Sequence, residues 1–306
     1  MNMSADRLKT PFPWFGGKSY AADLIWERLM PETLGNYVEP FFGSGAVYLQ
    51  APKEFLGAAV LNDFDGFIAN FWRAVAADPE GVAIAATAQV NEVDLIARHQ
   101  YLVDNRAQIT ERLKVDPHYF DATIAGWWAW GLCCWIGSGW CEDKGQGVNR
   151  QLPHLGNKGQ GVNRKTAREE WLAEWLGKLQ DRFFDARIAC GDWERICSVG
   201  TMTRFGFAGV LLDPPYGTTG AVYACDSTSI AQDVQNWCLG HGQNPMLRIA
   251  LCGHVGQHEI LEANGWAAAV PSGKGGGYQG KDDRERIWFS PHCKNTAEKS
   301  QLSLFD

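Results

Sequence analysis

Short aliphatic runs that end on a polar residue recur along this 306-residue chain. They stand in "NYVEPFFGSGAVYLQ", "AAVLNDFDGFIANFWRAV", "ARIACGDWERI", "FAGVLLDPPYG" and "LRIALCGHVGQHEILEANGW". The first predicts strand, glycine turn and helix start; the second predicts strand, acidic turn and helix; the last predicts strand and helix. Strands alternating with helices predict an α/β fold with a doubly wound, mostly parallel sheet. Ligands bind such sheets beyond the carboxyl ends of the strands. Glu39, Asp63, Asp192 and Asp213 all fall at those ends.

Between residues 76 and 185 this rhythm stops and helical periodicity takes over, as in "VDLIARHQYLVDNRAQITERL" and "REEWLAEWLGKLQDRF". Inside lies a duplicated heptapeptide, "KGQGVNR", at 144–150 and 158–164. From Lys144 to Arg168 there are six basic residues (144, 150, 158, 164, 165, 168) and no acid. With net charge −7 for the whole chain, a window of +6 rich in Gly, Asn and Gln is the expected footprint of a phosphate-facing loop, although a solvated hairpin has the same composition. Lys144, Lys158 and Lys165 would meet phosphates there. Asn149, Arg150, Asn163 and Arg164 have the side chains that read base edges. Trp127, Trp128, Trp130, Trp135 and Trp140 are expected to be core rather than base wedges.

The uncharged run from Ala122 to Cys141 has the length of a membrane span. Its glycines and its acidic flanks favour a buried helix. No membrane partner is predicted, and "MNMSADRLKTPF" has no apolar signal core. Nine cysteines at irregular spacing read as reduced thiols of a cytoplasmic protein. Cys238, His241, Cys252, His254 and His258 invite a zinc test, Cys238 and His241 having ligand spacing. A strand over "MLRIALCGH" followed by a helix carries His258 away from the others, so no metal is assigned.

Gly43 and Gly45 fall where a strand turns toward a helix, a place where glycine lets a ligand approach the backbone. Asp63 stands where an acid accepts hydrogen bonds from ribose hydroxyls, though an ordinary turn accounts for it equally well. "DPPY" is more specific. Asp213 and the carbonyl of Pro214, restrained by Pro215, offer two acceptors to one exocyclic amino group, and Tyr216 offers a stacking face. An aromatic amine held this way has its lone pair freed for attack on a positioned methyl donor. A base in a duplex must be flipped out to reach such a site.

"PFPWFGGKSY", "YVEPFFGSGA", "LNDFDGFIANFW", "CGDW" and "LLDPPYG", in that order, resemble the DNA adenine-N6 methyltransferases of the Dam type. The resemblance covers about residues 11–75 and 186–290 and implies a seven-stranded, Rossmann-like sheet binding S-adenosylmethionine. Residues 76–185 would be an inserted, mainly helical target-recognition domain on double-stranded DNA. Trp14 and Lys18 would lie by the methionine end of the cofactor, with Glu39, Phe41, Gly43 and Gly45 along it. Asp63 would hold the ribose, Asp192 and Trp193 the cofactor adenine, and Asp213, Pro214, Pro215 and Tyr216 the target base. "RERIWFSPH" is similar to the family's last strand, which completes a hairpin at the sheet edge.

The insert lacks the "NGxxRxNxxGxFNVP"-like recognition hairpin of GATC enzymes, so that target is not predicted. Cytosine-N4 transfer would need the same acceptors, although Ser more often replaces the Asp. A silent DNA-binding protein would not need the intact DPPY. Protein glutamine methylation usually goes with Asn at its first position. Residues 291–306 read as a tether. Its "QLSLF" resembles the peptide that binds the bacterial sliding clamp, through Gln301, Leu302, Leu304 and Phe305, and ten extended residues reach about 30 Å.

Overall fold

The computed structural model describes residues 8–14, 16–30, 33–135, 139–142, 161–163, 169–215, 227–271 and 284–294. The continuous apolar runs do form strands. These are β1 (Asn36–Glu39), β2 (Ala58–Asp63), β3 (Ala186–Cys190), β4 (Ala208–Leu212), β5 (Leu247–His254), β6 (Ala267–Ala269) and β7 (Glu285–Phe289). They make one seven-stranded sheet in the order β3-β2-β1-β4-β5-β7-β6. β1 pairs in parallel with β2 and β4, and β4 with β5. β7 is antiparallel to both β5 and β6. The fold is thus α/β with a mostly parallel sheet, and "RERIWF" forms the edge hairpin with β6.

The chain divides into two compact units. One comprises Lys18–Phe42, Gln50–Leu61 and Trp193–Asp306. It holds helices α1 (Ala22–Leu29), α7 (Val199–Met202) and α8 (Ser227–His241) around most of the sheet. Every residue of β4 is buried, and alternate residues face two different layers. Val210 and Leu212 join Val234 and Cys238 of α8, together with Ile249, Leu251 and Trp288, in one apolar cluster. Gly209 faces the other way, where a Cβ would meet Leu34 and Leu29. Arg28 of α1 lies over the Phe289 ring on that side. Helices therefore cover both faces of this part of the sheet, which explains why central β4 is apolar throughout.

The other unit comprises Met1–Gly17, Gly43–Leu49 and Asn62–Asp192. Its helices are α2 (Gly66–Ala77), α3 (Pro79–Ala86), α4 (Glu92–Val115), α5 (Ala122–Cys134) and α6 (Glu169–Phe183). The first four have local N-caps, with Asp65, Asp78, Asn91 and Asp121 each accepting a backbone N–H of the first turn. Asn70 locks α2 to the start of α5 by donating to the Asp121 carbonyl and accepting from the Asp121 N–H. Trp128, Trp130 and Trp140 are buried, and Trp128 packs with Phe12, Phe67 and Phe71. Trp127 and Trp135 are half-buried, Trp127 under the Arg98 guanidinium and Trp135 stacked on His99.

Two elements depart from expectation. After the glycine turn the chain forms only a 3₁₀ turn over Tyr48–Gln50, because Pro52 disfavours helical backbone at the residue before it. "HEILEANGW" likewise makes a 3₁₀ stretch, Glu259–Asn264, closed by Gly265 in the left-handed region at φ 84°. Among the described residues no helix is long and apolar enough to cross a membrane.

Candidate active site

The glycine turn after β1 is fastened at both of Gly43's polar backbone groups. Its N–H donates to Asp63 Oδ2 at 2.9 Å, and its carbonyl accepts from the Trp72 indole at 3.1 Å. Gly43 and Gly45 have φ of 50° and 69°, where any side chain is strained. At Gly43 a Cβ would also lie 2.5 Å from the Trp14 indole nitrogen. The loop can therefore pass against Trp14 only because it carries no side chain there.

Asp63 is shared between loop and strand. Its second oxygen accepts from the Asp65 N–H at 2.9 Å. Loss of hydration nevertheless raises the Asp63 carboxyl to about 7, with the Asp65 and Gly43 amides pulling the other way. Asn62 donates to the Gly191 carbonyl, and the Gly191 N–H donates to the Asp63 carbonyl. Asp192 is thus brought up on a turn anchored to the end of β2. Phe64, between Asp63 and Asp65, is 58% exposed. Pattern reading missed this ring, although an aromatic residue flanked by two acids at a strand end was the signal available. Asp65 caps α2 and holds Arg106 at 3.2 Å.

In the sheet-bearing unit the focus is Asp213, immediately after β4. Lys18, only 3% exposed, places Nζ 3.1 Å from Asp213 Oδ1 and 3.6 Å from Glu285 Oε1. Burial pushes the Cys252 thiol well above its usual range, and the hydrogen bond it donates to Asp213 adds to that. Glu39, at the end of β1, is buried and accepts from the Tyr37 hydroxyl at 2.8 Å. Phe41 stacks on Trp193 with centroids 6.0 Å apart. Trp193 is 6% exposed and belongs to the apolar cluster of β4 and α8. Pro214 is buried and Pro215 half-buried.

The remaining site expectations divide simply. Asn163 is half-buried and donates to the Cys134 sulfur at 3.2 Å, while its neighbour Val162 donates its N–H to the Pro11 carbonyl. Tyr216, Lys144, Asn149, Arg150, Lys158, Arg164, Lys165, Gln301, Leu302, Leu304 and Phe305 lie outside the described residues. Of the thiols and imidazoles weighed for zinc, Cys238 is fully buried in the apolar cluster, Cys252 is fully buried beside Asp213, and His258 is hydrogen-bonded to Gln235 at 2.8 Å. Among the described residues no group of three or more candidate ligands is assembled.

Residues 14–129 match the model of the D12 class N6 adenine-specific DNA methyltransferase family. The segment matched by the D12 model contains Trp14, Lys18, the Gly43–Gly45 turn, Asp63 and Phe64, and it runs on into α5. The chain is also similar to the Type II methyltransferase M1.LlaDCHI of Lactococcus lactis subsp. cremoris, 33% identical over 88 residues. That similarity takes in 28% of this chain and 26% of the relative's length. Asp213 and Glu285 lie beyond the D12 segment.

Proposed function

We propose that this chain transfers a methyl group from S-adenosylmethionine to the N6 amino group of an adenine flipped out of double-stranded DNA. The observation that carries the reading is Asp213, followed by Pro214 and Pro215 at the end of a central parallel strand and held by a buried lysine. The D12 segment supplies the class of chemistry. The residues present fit the cofactor. The Gly43 turn is held against the Trp14 indole, Asp63 keeps lone pairs for ribose hydroxyls beyond the two it spends on amides, and the exposed Phe64 ring can take an adenine face. When bound, the sulfonium supplies an electrophilic methyl group.

This chain's residues then have three tasks. Asp213 and the Pro214 carbonyl accept the two hydrogens of the amino group, which favours a pyramidal nitrogen with an available lone pair. Nitrogen–carbon bond formation accompanies carbon–sulfur cleavage, and the proton shed by nitrogen has Asp213 as its acceptor. Most of the acceleration comes from alignment, which needs no base of raised pKa. Tyr216 would stack on the flipped base.

Residues 76–185 would recognise DNA, with Lys144, Lys158 and Lys165 on phosphates and Asn149, Arg150, Asn163 and Arg164 near base edges. Gln301, Leu302, Leu304 and Phe305 would dock on a sliding clamp from a tail over 291–306, and the protein would work in the cytoplasm. Incubating DNA with methyl-labelled cofactor and digesting it to nucleosides tests the central claim. Label is expected in N6-methyladenine and should vanish with Asp213→Ala. Label in N4-methylcytosine, or none, overturns it. Clamp capture that survives deletion of 301–306 removes the tail's role.

A further inference from the structure

Glu285 opens β7, and because β7 runs antiparallel to β5 its first residue stands opposite His254. This places an acid from the late hairpin at the sheet edge where β4 and β5 deliver Asp213 and Cys252. Among the described residues, charged and titratable groups come to Asp213 from three strands and from the segment before α1. Lys18 precedes α1, Cys252 is on β5, Glu285 is on β7, and Glu39, which bears on Cys252, ends β1. One nearly buried ammonium therefore lies between two carboxylates that are 20% and 14% exposed. By inverse distance, its attraction to Glu285 is within about 15% of its attraction to Asp213.

The chemistry proposed for Asp213 needs an ionised carboxylate whose acceptor strength is not spent on a lysine. An ammonium paired with Asp213 alone would hold it ionised but would draw on its lone pairs. An ammonium shared with a second acid holds it in place and leaves more acceptor strength for the amine. We propose that Glu285 is a positioning residue: it takes part of the Lys18 charge, so that Lys18 orients Asp213 without exhausting it as acceptor for the target amino group. This rests on the reading of Asp213 given above.

The test is the full chain with Glu285→Gln, followed by single-turnover methyl transfer to DNA across pH. With Lys18 left to Asp213, the acid limb of the rate profile should move to lower pH. The plateau rate should fall about tenfold, the scale of one weakened charge-assisted hydrogen bond. Base flipping, read without turnover from 2-aminopurine at the target position, and KM for DNA should stay within about twofold. Glu285→Asp keeps the charge but withdraws it by one methylene, so its plateau and limb should fall between the two; it also serves if the glutamine variant does not fold. A folded variant with the wild-type limb and plateau overturns the role. A loss carried equally by KM and flipping reduces Glu285 to a structural residue and overturns it as well. Absence of N6-methyladenine with the unaltered chain takes down the methyltransferase reading itself, and this inference with it.

Discussion

Asp63 and His258 titrate in opposite senses over the same pH range. Loss of hydration raises the Asp63 carboxyl from 3.8 to about 7 in the folded protein. An acid raised on folding binds more protons folded than unfolded, so its contribution is fully present below pH 3.8 and is lost as pH rises through about 7. Burial lowers the His258 imidazole from 6.5 to about 4, so its contribution is present above 6.5 and is lost as pH falls toward 4. The two slopes largely offset each other, and the wild-type stability should change little between pH 4 and 7 from this pair. Asp63→Asn should expose a loss toward acid, and His258→Gln a loss toward neutral pH, each read by urea unfolding at stepped pH. Asp63→Asn should also cost about 1–3 kcal/mol at pH 8, since an amide cannot accept from both Gly43 and Asp65.

Helix α5 shows how an apolar element is restrained by the space around it. A Cβ on Gly131 would lie 1.8 Å from the Trp140 ring, and one on Gly126 would meet Val82 and Ala85 of α3. Gly126 and Gly131, two of the glycines that argued against a membrane span, are contact points where neighbours press on the helix backbone. Gly131→Ala should cost about 2 kcal/mol or more, through displacement of Trp140. Gly177, inside α6, has nothing within 4 Å of a Cβ, so Gly177→Ala should stabilise by about 1 kcal/mol. Thermal melts of the two variants should move in opposite directions. The same contrast explains what was legible at this scale. The caps Asp65, Asn91 and Asp121 and the apolar runs mark element starts locally. The 3₁₀ turns after Gly45 and His258 depend on how the next segment leaves, and a window of periodicity does not contain that.

At the scale of the molecule, the sheet order interleaves distant segments, with β1 between β2 and β4 and β7 between β5 and β6. In a chain of net −7, the +6 window is the stretch expected to meet DNA phosphates. If residues 144–168 meet phosphates, log K should fall steeply with log salt. Replacing Arg150 and Arg164 with Ala should then flatten the slope by about 2, as measured by fluorescence anisotropy. An unchanged slope would take the loop out of the interface. Of the residues that read as polar stops in sequence, Glu39 closes β1, Asp63 closes β2 and Asp213 follows β4 directly.

The sequence by itself determined the α/β class, the helical stretch after residue 76, and the short motifs in which function is sought. Each of these is a local pattern: a continuous apolar run, a cap, a glycine turn, or an acid before two prolines. Only the tertiary structure decided what those residues touch. Phe64 became notable through its exposure, Trp193 through its burial against Phe41, and Asn163 through its bond to Cys134. Glu285, within a stretch read only as the last strand, was set beside Lys18 and Asp213 by the antiparallel course of β7. The sharing of one buried ammonium between two acids more than seventy residues apart is a product of topology, because charge interacts through space and local pattern does not record which strands become neighbours.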